Sequence, residues 1–187
     1  MNRVLFVSFL LILLLLEACN PSGSKKEILK EHFDIPGFFE EEINQLEKKN
    51  QAIEKKINKD GKTETKTLQN VDWEKELAPF VDNDINKPSW VKNFFADTVF
   101  LPPGSFEITY TSIDLEIPIK QVKLLFENYS CSFVQINKNS NNKLFSYSQN
   151  LEYGKGKGYK INGYQKVKYT FDTRYEIISE FIINKKN

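Results

Sequence analysis

At 187 residues, with 26 basic against 25 acidic side chains and a formal net charge of +1, the chain has no charge excess that would draw it to phosphates. A nucleic-acid footprint needs a basic stripe, and here the two signs are interspersed along the sequence. One histidine and two cysteines leave a metal centre short of its usual ligands, and the length suits one domain rather than two.

The chain begins with a positive Arg3, an apolar stretch from Val4 to Leu16 broken only by Ser8, and Ala18 ahead of Cys19. A helix that spans the hydrocarbon core needs about 20 apolar residues, and this run is shorter and stops at Glu17. Its layout is that of a cleaved export signal over residues 1–18. Leu16-Glu17-Ala18-Cys19 resembles the lipobox of bacterial lipoproteins, with Glu17 standing where a small or hydroxyl residue is usual. That resemblance implies lipidation of Cys19 by diacylglycerol and an N-acyl chain, and so a stable membrane anchor, since such anchoring takes two chains rather than one. Residues 19–26 then form a tether of small and polar composition, Asn20-Pro21-Ser22-Gly23-Ser24-Lys25-Lys26. By the sorting logic of the same family, the absence of aspartate after the cysteine points to the outer membrane. The absence of an acidic surface-export tag points to its periplasmic face.

From Glu27 to Asn50 the pattern is helical, with Phe39, Ile43 and Leu46 on one stripe. Asp34 is placed to cap this helix and Pro36 to occupy its first turn; Ile28, Leu29 and Phe33 suit a shorter helical lead-in. Asp60-Gly61 is a two-residue turn signal, and Thr63, Thr65 and Thr67 alternate with Glu64 and Lys66 at strand period. Ile53 and Ile57 fit either a helix tail or the partner strand of this hairpin. Trp73, Leu77, Phe80 and Val81 restore helical spacing behind an Asp72 cap, and Pro88 is expected to end that helix. Ser89 to Phe95 is short, aromatic and ambiguous, and FLPPGSF reads as an extended proline turn.

Beyond Phe106 the character is that of strands: FEITYTSI, KQVKLLFEN, YSCSFVQIN, KLFSYSQNLEY, YKINGYQKVKYTF and RYEIISEFI. Turn-rich segments at Lys138–Asn142, Gly154–Gly158 and Asp172–Thr173 separate the later ones. Short connections pair sequential strands as an antiparallel meander. Tyr159, Ile161, Val167, Tyr169 and Phe171 would share a face opposite Lys160, Asn162, Lys166 and Lys168. A sheet so written needs cover on its apolar side. The expected fold is therefore α+β, with residues 27–187 as one domain: helices and a hairpin over 27–100 cover a curved sheet of about six strands over 104–187.

An anchored cysteine, helices and a tyrosine-rich meander ending GKGYKINGYQKVKYTF and YEI resemble small uncharacterised lipoproteins of the Bacteroidetes, a likeness that carries no mechanism. More distantly, a curved antiparallel sheet closed by helices is similar to the periplasmic lipoprotein-carrier fold, which holds acyl chains in its concavity.

No segment reads as catalytic. Asp82-Asn83-Asp84-Ile85-Asn86 alternates oxygen ligands as a calcium loop begins, yet Lys87 and Asn93 stand where the loop needs glycine and glutamate. Gly154-Lys155-Gly156-Lys157-Gly158 precedes a strand rather than the helix a phosphate cradle requires. His32 reads as a surface imidazole, and Asp72, Glu74 and Glu76 as helix-start charge. Lipidation of Cys19 would leave Cys131 unpaired, with a buried small apolar residue as its simplest role. No cofactor or nucleic-acid partner is expected, and the membrane is the partner implied by Cys19. Fifteen Phe, eight Tyr and two Trp exceed what a lean core needs. They suit either a groove for an apolar ligand between sheet and helices, or a surface that docks the chain onto an envelope assembly.

Overall fold

The computed structural model describes residues 30–183. The leader, Cys19, the tether, and Ile28 and Leu29 of the lead-in lie outside the described residues. What is described is an open antiparallel sheet of nine strands with two helices, in keeping with the expected α+β class but with more strands than about six.

Helix α1 (Ile35–Lys48) starts where the sequence places it. The Asp34 carboxylate accepts the Gly37 N–H at 3.0 Å, and Pro36 lies in the first turn, where its missing donor costs nothing. Ile35, Phe39, Ile43 and Leu46 form its buried stripe. The stretch Glu31–Asp34 before it is not helical. Strands β1 (Ile53–Lys59) and β2 (Lys62–Leu68) make the hairpin, with Asp60 (φ 50) and Gly61 (φ 83) both in the left-handed region that a tight two-residue turn demands. Helix α2 (Trp73–Val81) is capped by Asp72, which accepts the Lys75 N–H at 3.1 Å. It ends at Val81, before Pro88, and carries Pro79 inside its second turn. The polypeptide leaves it through an Asn83 side chain that donates to the Pro79 and Phe80 carbonyls.

After a single 3₁₀ turn at Val91–Asn93 come seven strands: β3 (Phe94–Leu101), β4 (Ser105–Ser112), β5 (Ile119–Glu127), β6 (Ser130–Asn141), β7 (Phe145–Gly154), β8 (Gly158–Val167) and β9 (Thr173–Phe181). Each pairs with its successor, as a meander should. Strand β3 lies where the sequence shows no strand period, because FFADTVFL is apolar at positions of both parities. Tyr169 and Phe171, expected on the strand face, lie beyond the end of β8. Strand β8 stops at Val167, and Tyr169 (φ 69) turns the backbone so that both rings face solvent.

The remaining surprise is non-local. Strand β1 pairs antiparallel with β9, so the N-terminal hairpin extends the meander, giving the order β2-β1-β9-β8-β7-β6-β5-β4-β3. Among the described residues only β2 and β3 are edges. On the covered face, Val122, Ile136, Leu151, Ile161 and Ile177 fall in one cross-strand row, and both helices pack over the neighbouring row through Phe39, Phe80 and Tyr153. At Gly158 (φ 136) a side chain would run into the Ser179 carbonyl, so only glycine lets β8 approach β9 there.

Candidate functional site

Three regions hold chemistry: the polar clusters beneath the helices, the open face of the sheet, and the β3 edge.

Beneath the helices, Tyr153 on β7 and Tyr159 on β8 are direct cross-strand partners. The Tyr153 hydroxyl donates to Glu42 Oε2 of α1 at 2.7 Å, and Lys155 Nζ lies 2.7 Å from the other Glu42 oxygen. The Tyr159 hydroxyl donates to Glu76 of α2, whose carboxylate also receives Lys55 Nζ at 2.9 and 2.7 Å. Each helix is thus fixed to the sheet by a tyrosine, a carboxylate and a lysine. Glu42 is 4% exposed, and a carboxylate so placed is tolerable only when paired and hydrogen-bonded. Burial, reinforced by the carboxylate each phenol faces, raises both tyrosine pKa values above the ordinary range. These groups hold one another; no two carboxylates converge here on a common point.

The space between helices and sheet, where the aromatics suggested a groove, is occupied by rings. Phe39 lies 5.0 Å from Phe80 and 5.2 Å from Tyr153 by centroid, and Trp73 packs edge-on to Phe181 at 5.6 Å. Grooves lie instead on strands β5–β9: two open troughs of about 560 and 640 Å³. Asn137, Asn150 and Asn162 stand side by side there on neighbouring strands, next to Glu152 and Lys160. Gln135 and Asn150 both donate to Glu152 Oε1, at 3.2 and 2.6 Å, so much of this polarity is self-satisfied.

The two edges of the sheet differ sharply. Strand β2 reads KTETKTL and is exposed throughout except for half-buried Leu68; charged, threonine-rich edges discourage further pairing. Strand β3 reads FFADTVFL and only Phe94 is buried. Phe95 is 65% exposed, Phe100 82% and Val99 48%. Phe100 begins an aromatic file that runs inward through Phe106, stacked 4.7 Å from Phe126 with planes 4° apart, and on to Phe33. Just past the strand ends the Ile113 N–H donates to the Asn93 carbonyl at 2.9 Å. By antiparallel alternation the odd-numbered residues of β3 face β4 with their backbone groups. Those of Ala96, Thr98 and Phe100 therefore point to the bare edge. A long, apolar, unpaired edge is a template for another strand.

Of the residues singled out by sequence, Cys19 lies outside the described residues. Cys131 is a free, buried thiol whose pKa burial pushes up to about 12, which leaves it unreactive as a nucleophile at neutral pH. His32 is not a surface imidazole. Its Nε2–H donates to the Val91 carbonyl at 2.7 Å, and its ring packs edge-on to Tyr110 and Phe94. Asp82 ends α2, and Asp84 accepts the Asn86 N–H at 2.8 Å. Asn86 itself clamps the incoming chain: it accepts the His32 N–H at 2.9 Å and donates to the His32 and Phe33 carbonyls. Gly154 and Gly158 terminate β7 and β8 around a hairpin turn. Asp72 is a cap, Glu74 is exposed, and Glu76 holds Lys55 and Tyr159. Among the described residues no three His, Cys, Asp or Glu side chains gather as a metal site, and no helix is long and apolar enough to cross a membrane. The sequence contained the residues of the bare edge but gave no local sign that they formed an edge. Comparison with known proteins finds no matching family, no matching curated protein and no matching solved structure.

Proposed function

We propose that this chain is a lipid-anchored, non-catalytic component of the cell envelope, held through Cys19 at the periplasmic face of the outer membrane. There it serves as an accessory or structural subunit of a protein assembly that it joins by strand pairing. The observation that carries the reading is the contrast between the edges, one charged and closed to pairing, the other aromatic and open. An apolar ligand between helices and sheet has less support, because Phe39, Phe80, Trp73 and Tyr153 already fill that space. The anchor rests on the sequence at residues 16–19. Its test is membrane fractionation of the Cys19→Ser variant in the native host: the substituted chain is expected in the soluble fraction, and identical partitioning of the two forms would remove the anchor from the proposal.

A further inference from the structure

We infer that the strand added to β3 is β3 of a second copy, so that two sheets join edge to edge about a two-fold axis through Thr98. This rests on the reading of the β3 edge as an association surface and names its occupant.

The backbone sets the first constraint. Only Ala96, Thr98 and Phe100 direct their N–H and C=O groups outward within the exposed part of β3, so a partner strand must place its own outward groups against these. For two identical antiparallel strands, every register that does so pairs even-numbered residues with even-numbered ones. Three such registers keep most of the strand in contact, and side chains decide between them. An axis through Asp97 sets the strand's one charged residue directly against its copy, an arrangement that like charges oppose. An axis through Val99 brings Ala96 against Pro102, which has no N–H to give. An axis through Thr98 separates the two carboxylates and moves Pro102 out to the terminal pair with buried Phe94, so that Ala96, Thr98 and Phe100 are all paired with one another.

In that register Thr98 meets Thr98 of the second copy, a favourable hydroxyl pair. Ala96, the smallest side chain of the strand, meets Phe100, the most exposed of its large apolar residues. Phe95 meets Leu101 and Asp97 meets Val99, which leaves each carboxylate on the face away from the helices. Such an interface is isologous and closes after two copies. Each copy's second edge, β2, stays charged at the far end of the joined sheet, so the pair does not propagate into a fibre.

The area sets the strength. With a phenylalanine offering roughly 200 Å², Phe95 and Phe100 at 65% and 82% exposure contribute about 300 Å² per copy, and Val99 and Leu101 extend this. The sum stays below the roughly 800 Å² per partner of a standard stable interface. The pair is therefore weak in dilute solution and strengthened where both copies are confined to one membrane, which raises their effective concentration.

The test is disulfide trapping of the full chain in its native membranes. Thr98→Cys, which meets itself across the axis with Cα atoms about 5.5 Å apart, is expected to give a species of twice the chain mass on mild oxidation. Glu64→Cys on β2 is the control and is expected to give several-fold less. A mixture of Asp97→Cys and Val99→Cys chains should cross-link as a mixed pair while neither does so alone, which reads the register even if Thr98→Cys is poorly made. Equal trapping at Thr98 and Glu64 would overturn the association surface altogether. Trapping of Thr98→Cys to a polypeptide of another mass would overturn the second copy while leaving the edge as a docking site for a foreign strand. Either result is independent of where the Cys19→Ser chain fractionates.

Discussion

Phe39 and Phe100 are the same side chain in opposite situations. Phe39 lies sealed between α1 and the rings of Phe80 and Tyr153, within the cluster where Tyr153, Glu42 and Lys155 fasten the helix to the sheet. Phe100 stands 82% exposed on a strand whose outward backbone groups have no partner among the described residues. At the first place burial, dispersion and satisfied polar contacts all act within one molecule. At the second, the same kinds of contact are unmade among the described residues. The aromatic surplus of the composition is thus divided between a packed core and an exposed edge, and stability and the proposed association can be perturbed separately in the two regions.

The sharpest way to separate them is at the core. Phe39→Ala removes a fully buried ring and is expected to cost about 3–5 kcal/mol of unfolding free energy, read from urea denaturation. A loss below about 1 kcal/mol would mean that the helices contribute little to the sheet. Alkaline pH gives the next effect. Tyr153 and Tyr159 have pKa values raised first by burial and then by their carboxylates, whereas in the unfolded chain they ionise near pH ~10. The stability they contribute is fully present below that pH and is lost as pH rises above it, because the unfolded state then releases protons that the folded state retains. Cys131 adds a loss of the same sign between its unfolded value near ~8.5 and about 12. Urea midpoints should fall from about pH 9 upward, and less steeply in Tyr159→Phe; a flat profile to pH 11 would break the description of these clusters. The smallest effect on stability belongs to the edge. Phe100→Ser should leave the unfolding free energy within about 0.5 kcal/mol of the parent while reducing trapping at Thr98, and a large destabilisation would show that Phe100 belongs to the core after all.

What could be read from sequence follows from how local each cause is. Asp34 and Asp72 cap through their own next turn, and Asp60-Gly61 fixes its hairpin through two backbone angles, so all three were legible. The alternation of β4 to β9 also located them to within a few residues, with two exceptions: β6 runs on to Asn141 through the polar segment Lys138–Asn142 that reads as a turn, and strand character overruns at Tyr169 and Phe171, where the turn at Lys168–Asp172 leaves no change in apolar content to mark it. Strand β3 was not legible, because apolar residues of both parities erase the period-two signal. Neither was the β1–β9 pairing, whose partners Ile53 and Phe181 lie at opposite ends of the described chain. The candidate site shares both failures: an edge is defined by what does not pair with it, and that is settled only once all nine strands are placed.

The Asn86 clamp on His32 and Phe33, with the Glu31–Lys92 ion pair beside it, fixes where the described chain begins: against the start of β3 and far across the sheet from β2. For a protein moored at Cys19, ten residues separate that mooring from Lys30, and the eleven backbone steps span at most about 40 Å. Any pull from the membrane would be delivered to this corner, so drag on the domain would swing it about β3 like a flag about its pole, with β2 sweeping the widest arc.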